Sequence, residues 1–426
     1  MEIIKYPPRE QWASLQERPA FDYTALFDKV QLILDDVHKN GDKALLKYTK
    51  QFDNVSLDAI EVTKEEMAEA APLLTVELKQ AIEMSRRNIW KFHSEQQREY
   101  EEIQTSPGVY CWQKAIPIEK IGLYIPGGSA PLFSTVLMLG IPAQIAECKE
   151  VILCTPPNDE GKVHPAILYA AKVAGIHRIF KVGGTQAIAA MAFGTETVPK
   201  VYKIFGPGNQ YVTAAKQLVS LRDVAIDMPA GPSEVEVMAD DTANPVFVAA
   251  DLLSQAEHGA DSQVILVAVS ENLVEKVQEQ IELQLHKLPR KEIAAKALEN
   301  SKIIVLKSLE EAIAFTNEYA PEHLIISTRS YMVVSENITN AGSVFLGNMT
   351  PESAGDYASG TNHTLPTNGY AKAYNGVNLD SYLKKITFQQ ITPEGLTNLS
   401  NAIILMAENE GLQAHANAVK LRIERD

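Results

Sequence analysis

Apolar positions fall into distinct regimes along the chain. From residue 21 to about 105 they recur at spacings of three and four, first in FDYTALFDKVQLILDDVHKNG, which stops at Gly41, and then in VTKEEMAEAAPLLTVELKQAIEMSRRNIWKFHSEQ. That period predicts helices. Between about 121 and 240 short β-rich runs (IGLYIPGG, VILCTPP, RIFKVGG, VYKIFGPG) alternate with helical ones (PLFSTVLMLGIPAQIAEC, HPAILYAAKVAGI, TQAIAAMAFG, NQYVTAAKQLVS). A second series follows: a helix from about Pro245 to His258, the strand QVILVAVS, a helix from Glu271, the strand IIVLK, a helix opened by the capping box Ser308 to Glu311, and the strand HLIIS. Such alternation predicts parallel sheets covered by helices, hence two tandem α/β units. Residues 1–20 carry Pro7, Pro8 and Pro19 and little periodicity, so they read as an arm outside the core, suited to lie on a partner. After about 377 the apolar density falls, and the chain ends in the helical tail LSNAIILMAENEGLQAHANAVKLRIERD.

Composition narrows the class. The chain has 426 residues, 46% of them hydrophobic, enough for a large core. Its 54 acidic and 39 basic side chains leave a formal charge of -15, which disfavours nucleic acid or an anionic membrane as partner. The N-terminus MEIIKYPPRE lacks an apolar run after a basic region, and no stretch reaches the roughly 18 apolar residues of a spanning helix, so a soluble cytoplasmic protein is expected. Cys111, Cys148 and Cys154 include no CxxC pair, and they sit before a Trp, at the end of a helical run and inside an apolar strand, which argues against a disulfide framework, a thiolate zinc site and an activated thiol. Any metal must then take His, carboxylate and amide ligands.

Candidate chemistry sits in turns and polar loops. PGGSAP at 126–131, GGTQA at 183–187 and GPGNQY at 206–211 each follow a strand, and glycine lets backbone N–H groups approach a phosphate. None is a GxGxxG fingerprint, and each alone reads as an ordinary strand-to-helix turn. Of nine histidines, His38, His93, His164, His177 and His286 lie in helical or connecting sequence and read as structural. His258, His323, His363 and His415 lie in polar settings, three of them with a glycine within four residues. Gln255 and His258, three apart near a helix end, face one point as a metal pair does, although a His at a helix C-terminus is explained equally by the dipole. Asp356 in PESAGDYASG adds a third candidate ligand and His415 a fourth, an N and O set that suits zinc (Zn2+) or a similar ion. In APEHL, Glu322 and His323 are adjacent, so both reach one site only where the backbone bends, as Pro321 permits. Together they can activate water and shuttle a proton near neutral pH.

With these residues in view, the chain from about 21 to 426 closely resembles the histidinol dehydrogenase family. The resemblance rests on GLYIPGGSAPLFSTVLML, KVGGTQAIAAMAFGT, FGPGNQYVTAAK, IDMPAGPSEV, LLSQAEHG, APEHL, GSVFLG, PESAGDYASGTNHTLPT and EGLQAHANAV, in order. It implies Gln255, His258, Asp356 and His415 as zinc ligands, and Glu322 and His323 as the acid/base pair. Substrate contacts fall on Ser233, His323, His363 and Glu410 besides the ligands, and NAD contacts on Tyr124, Gln186 and Asn209. The implied fold is α/β, with two incomplete Rossmann-like units, a helical N-terminal region and a small helical tail, in an intertwined homodimer. The implied division is an arm over 1–20, a first α/β domain from 21–122 plus 235–376 with most catalytic and metal residues, a second, NAD-binding domain over 123–234, and a tail over 377–426. That tail would reach the partner subunit, so that Glu410 and His415 complete the other site. The implied reaction oxidises L-histidinol via L-histidinal to L-histidine with NAD and water, the last two steps of histidine biosynthesis.

Other readings make distinct demands. A relative acting on another primary alcohol, such as an anionic sulfonated diol, calls for basic or small residues at 363 or 410, where His363 and Glu410 stand. A zinc hydrolase leaves the glycine turns without a use, and HExxH is absent. A non-enzymatic descendant should have lost Glu322 or His323, and both are present.

Overall fold

The alternation of β-rich and helical runs folds into two parallel sheets. The computed structural model describes residues 1–19, 24–127, 131–228 and 231–424. In chain order the strands are β1 (Glu2–Lys5), β2 (Ile103–Ser106), β3 (Val109–Pro117), β4 (Lys120–Tyr124), β5 (Glu150–Thr155), β6 (Arg178–Lys181) and β7 (Lys203–Phe205). They continue with β8 (Ala225–Ile226), β9 (Glu234–Ala239), β10 (Gln263–Ala268), β11 (Lys302–Val305), β12 (His323–Ser327), β13 (Ser343–Leu346) and β14 (Leu383–Ile391).

One sheet has the order β6-β5-β4-β7-β8, the other β1-β11-β10-β9-β12-β13, and every pair within both is parallel. In each unit the chain steps outward over three strands and then returns to the far side of the first. The order therefore reverses between β4 and β7 and again between β9 and β12. Such reversals open crevices at strand ends. β9, β10 and β12 are buried along their whole length, as strands covered on both faces must be. The helix Phe133–Ile145 is apolar all round and is buried accordingly.

Three features depart from the sequence reading. The first residues are no arm: β1 pairs with β11 as an edge strand of the six-stranded sheet, and Trp12 is buried against Phe315. The polar, proline-broken sequence hid a strand only four residues long. Second, the helices Thr24–Asn40 and Val76–Ser94 bury Val30, Leu34, Ile82 and Ile89 in the cores of the five-stranded sheet, with Leu123, Leu137 and Met191. The expected division grouped them with 235–376 instead. Third, the region after 377 is not helical throughout, because β14 pairs antiparallel with β3 from Leu383 opposite Pro117 to Ile391 opposite Val109. Of the glycine turns, Gly128, Ser129 and Ala130 lie outside the described residues, as do Pro229 and Ala230 before Ser233 and Phe21 to Tyr23 in the first helical run.

Candidate active site

The site is built at the amino ends of β9 and β12. These strands pair in parallel with His323 opposite Val235. The preceding helix, Leu309–Tyr319, ends at Ala320 in the left-handed region with φ 55°, and Pro321 follows. That bend brings the adjacent side chains together, with Nδ1 of His323 3.6 Å from Oε2 of Glu322. Both lean on one residue of β9. The Glu234 N–H donates to Glu322 Oε2 at 2.8 Å, and the Glu234 carbonyl stands 3.2 Å from His323 Nδ1. The other imidazole nitrogen, Nε2, is buried without a hydrogen-bond partner, 3.6 Å from Asp356 Oδ1.

The short helix Glu352–Tyr357 supplies two carboxylates on one face, four residues apart. Glu352 Oε1 lies 3.8 Å from His323 Nδ1. Ligand atoms of His323, Glu352 and Asp356 all fall within 4.8 Å of one another, a spacing that can hold a metal ion. Burial opposes a charge on His323, but Glu322, Glu352 and Asp356 outweigh it and hold the imidazole well above its ordinary value. Burial likewise pushes Glu352 up to about 8. Asp356 is buried too, yet its contact with His323 holds it below the usual carboxylate range.

Gln255 ends the helix Pro245–Ala256 beside this cluster. With its amide oriented to satisfy both neighbours, its nitrogen donates to Glu352 and its oxygen accepts from Glu234 N–H at 3.1 Å. His258 lies just beyond the helix, exposed, and its charge bears on Asp356 and His363. His363 is fixed at both nitrogens: Nδ1 at 3.0 Å from the Asp356 carbonyl, Nε2 at 3.0 Å from the Thr135 hydroxyl. Burial holds it below its ordinary value, so it is neutral near pH 7. Asn362 next to it donates to the Met138 carbonyl at 2.6 Å, which ties this loop to the helix over the five-stranded sheet. Ser233 is half-buried at the foot of β9. Glu410 and His415 do not join the cluster within one chain; both are exposed, Glu410 just after the tail helix Pro393–Asn409 and His415 in the helix Gln413–Ile423.

Tyr124, Gln186 and Asn209 meet the carboxyl ends of the five-stranded sheet instead. The Tyr124 hydroxyl, at the end of β4, accepts from Gly184 N–H at 3.1 Å, and burial pushes it up to about 12. Gln186, in the first turn of the helix Gly184–Phe193, is buried with Oε1 unpartnered. Asn209 caps the helix Gln210–Ser220, accepting from Tyr211 N–H at 3.1 Å and Val212 N–H at 3.2 Å. Between them Gly206, with φ 130°, packs on the Tyr124 carbonyl so closely that a Cβ would clash. Asp227 accepts from its N–H at 2.8 Å and Lys216 donates to its carbonyl at 2.8 Å. This turn borders the reversal between β4 and β7, where α/β sheets bind ligands.

Sequence reasoning missed Glu352, Glu234 and Thr135. Glu352 was signalled by its spacing of four from Asp356 in PESAGDY, and Glu234 by a carboxylate entering the apolar strand EVEVMA. Thr135 carries no such signal.

Known proteins set this geometry in context. The family model for histidinol dehydrogenase matches residues 16–423. A histidinol dehydrogenase of Bacteroides thetaiotaomicron is 64% identical over 423 residues, covering 99% of each chain. One from Vibrio vulnificus is 51% identical over 418 residues, covering 97% of this chain and 96% of its own. The crystal structure of histidinol dehydrogenase from Elizabethkingia anophelis superposes with a TM-score of 0.96 at 57% identity, covering 100% of this chain and 98% of that one. Fold and site together define an α/β oxidoreductase. The chain belongs to the histidinol dehydrogenase family. Among the described residues no helix is long and apolar enough to cross a membrane.

Proposed function

We propose that the protein oxidises L-histidinol through L-histidinal to L-histidine, with NAD as hydride acceptor in both steps and water added between them. The reading includes a cytoplasmic setting and a homodimer with a zinc ion in each subunit. One observation carries it: a buried imidazole with Nε2 unpartnered, flanked by Glu322 and by the carboxylates of Glu352 and Asp356.

The donor chemistry fits zinc. Gln255, His258 and Asp356, with His415 of the partner subunit, form an amide, imidazole and carboxylate set without sulfur. Gln255 Oε1 accepts one hydrogen bond and keeps a second lone pair for an ion. The buried Glu352 and Asp356 call for a cation to offset them. When bound, zinc supplies Lewis acidity and a fixed template for the substrate's alcohol and amine.

The chain's own groups divide the rest. His323 takes the hydroxyl proton at Nε2 while its Nδ1 stays on the Glu234 carbonyl, and hydride leaves the carbinol carbon for the first NAD. The carboxylates that hold His323 protonated are those a cation offsets, which frees Nε2 to accept. Glu322, with Oε1 open while Oε2 accepts from Glu234, activates water for attack on the aldehyde. His323 returns its first proton to the aldehyde oxygen as the hydrate forms, and then takes the hydrate's hydroxyl proton as hydride leaves for the second NAD. Ser233, His363 and the partner subunit's Glu410 read the substrate imidazole, and the carboxylate favours a cationic substrate. Since Thr135 occupies His363 Nε2, the substrate must share or replace that bond. Tyr124, Gln186 and Asn209 receive NAD, for which Gln186 Oε1 is an open acceptor.

The tail helices leave Leu405, Met406, Leu412 and Leu421 exposed, an apolar surface that supports burial on a partner subunit. The test is NADH formed per L-histidinol consumed, followed to completion with and without a zinc chelator. About two NADH per substrate, lost on chelation and restored by zinc, is the expected result. No NADH from folded, zinc-loaded protein overturns the substrate assignment.

A further inference from the structure

Glu234 holds both halves of the acid/base pair through its backbone, so whatever holds Glu234 holds the pair. Its side chain is buried, and Arg18 grips it with both arms of the guanidinium: Nε donates to Oε1 at 2.6 Å and Nη2 to Oε2 at 3.0 Å. The same Nη2 donates to the Tyr319 carbonyl at 2.8 Å and approaches the Ala320 carbonyl at 3.4 Å. The guanidinium plane lies over the Tyr319 ring, 4.0 Å from its centroid. Asn368 N–H completes the Glu234 shell at 2.6 Å from Oε1.

Tyr319 and Ala320 are the last helical residue and the left-handed residue before Pro321, Glu322 and His323. Arg18 thus spans the two backbone pieces that aim the pair: the foot of β9, whose Glu234 N–H donates to Glu322 and whose carbonyl faces His323, and the turn that presents them. We propose that Arg18 is a positioning residue for Glu322 and His323, fixing the foot of β9 against the turn at Ala320 from outside the site. The inference rests on the oxidation proposed above. A planar fork suits this task, because it satisfies a carboxylate bidentately and two carbonyls at once, which a lysine ammonium cannot do in one geometry.

The test compares Arg18→Lys with the double variant Arg18→Met/Glu234→Gln. The double variant removes both buried charges together, so no unpaired carboxylate is left to unfold the protein. In folded protein with the parent's zinc content, both should lose about 10- to 100-fold in kcat, the scale expected of slight misplacement, with KM for histidinol and NAD within about threefold. If the double variant recovers the parent's kcat, or if Arg18→Lys never loses it, Arg18 serves only to neutralise Glu234 and the proposal fails. A fall in kcat matched by equal loss of folded protein or zinc overturns it as well. A parent that yields no NADH from histidinol marks failure of the oxidation itself, whereas variants matching an active parent mark failure of the Arg18 assignment.

Discussion

The Glu234 carbonyl stands 3.2 Å from Nδ1 of His323, while the N–H of the same residue donates to Glu322. A single residue at the foot of β9 thereby fixes the ring orientation of one group and the carboxylate plane of the other. Side chains adjacent in a strand would face opposite ways; here the left-handed Ala320 and Pro321 break the strand before it begins.

If the two groups divide the work as proposed, their variants should differ in kind. His323→Asn should lower both oxidations by about 10²- to 10⁴-fold, the usual worth of a positioned proton acceptor. Glu322→Gln should slow aldehyde oxidation most, so that histidinal supplied directly is consumed poorly while reduction of histidinal by NADH survives. Rapid-mixing absorbance of NADH separates these cases. Equal losses in every half reaction for both variants would assign them one joint role.

The Tyr124 hydroxyl accepts a hydrogen bond from the part-buried N–H of Gly184, and with its proton retained to about 12 it can still donate outward to a ligand. Tyr124→Phe leaves that N–H without an acceptor, at a cost of about 1–3 kcal/mol. Thermal unfolding should record the loss, and KM for NAD should rise with little change in KM for histidinol. A stability loss with NAD binding intact would make Tyr124 structural only.

Much of this was legible in the chain. The two-unit α/β plan followed from the alternation of buried strands and apolar helices, and the polar loops around His323 and Asp356 stood out against that background. What escaped did so for physical reasons. β1 is only four residues long and edge-placed, so its pairing with β11 leaves no periodic trace. Glu352 and Glu234 act through contacts made by the fold, Glu234 largely through its backbone, which no side-chain pattern reports. Arg18 lies 216 residues from the carboxylate it grips. His415 and Glu410 lie exposed and away from the cluster within one chain, so no contact in the fold ties them to it.

Glu236, fully buried in β9, accepts from the Thr316 hydroxyl with one oxygen and leaves the other unpartnered, and burial pushes it up to about 8. A carboxyl raised in the folded state is protonated there while the unfolded chain has already ionised. Stability therefore falls as pH rises from near 4.5 to about 8, and none of this penalty is felt below that window. Glu236→Gln keeps the shape and the Thr316 bond but cannot ionise. Denaturant curves at pH 5 and pH 8.5 should show the variant gaining on the parent by on the order of 2–4 kcal/mol at the higher pH. Parallel pH dependence in the two proteins would place the titration elsewhere.

The exposed position of His415 leads to a mixing experiment. If it completes the partner's zinc shell, His415→Ala and Glu322→Gln homodimers both fail to carry histidinol through to histidine, for different reasons. In a heterodimer formed from the two, one site combines an intact Glu322 with an intact His415 from the other chain, and the second site collects both defects. Random reassortment of equal amounts should therefore restore about a quarter of the parent's activity, since half the dimers are mixed and each holds one good site. Zinc bound per dimer should stay constant through the exchange, because each intact His415 completes one shell whichever dimer it joins. Activity no greater than the sum of the parents, after exchange of subunits is verified by mass, would mean that each chain supplies its own His415, and the tail would then have to fold back onto the cluster of Asp356 and His323 in its own subunit.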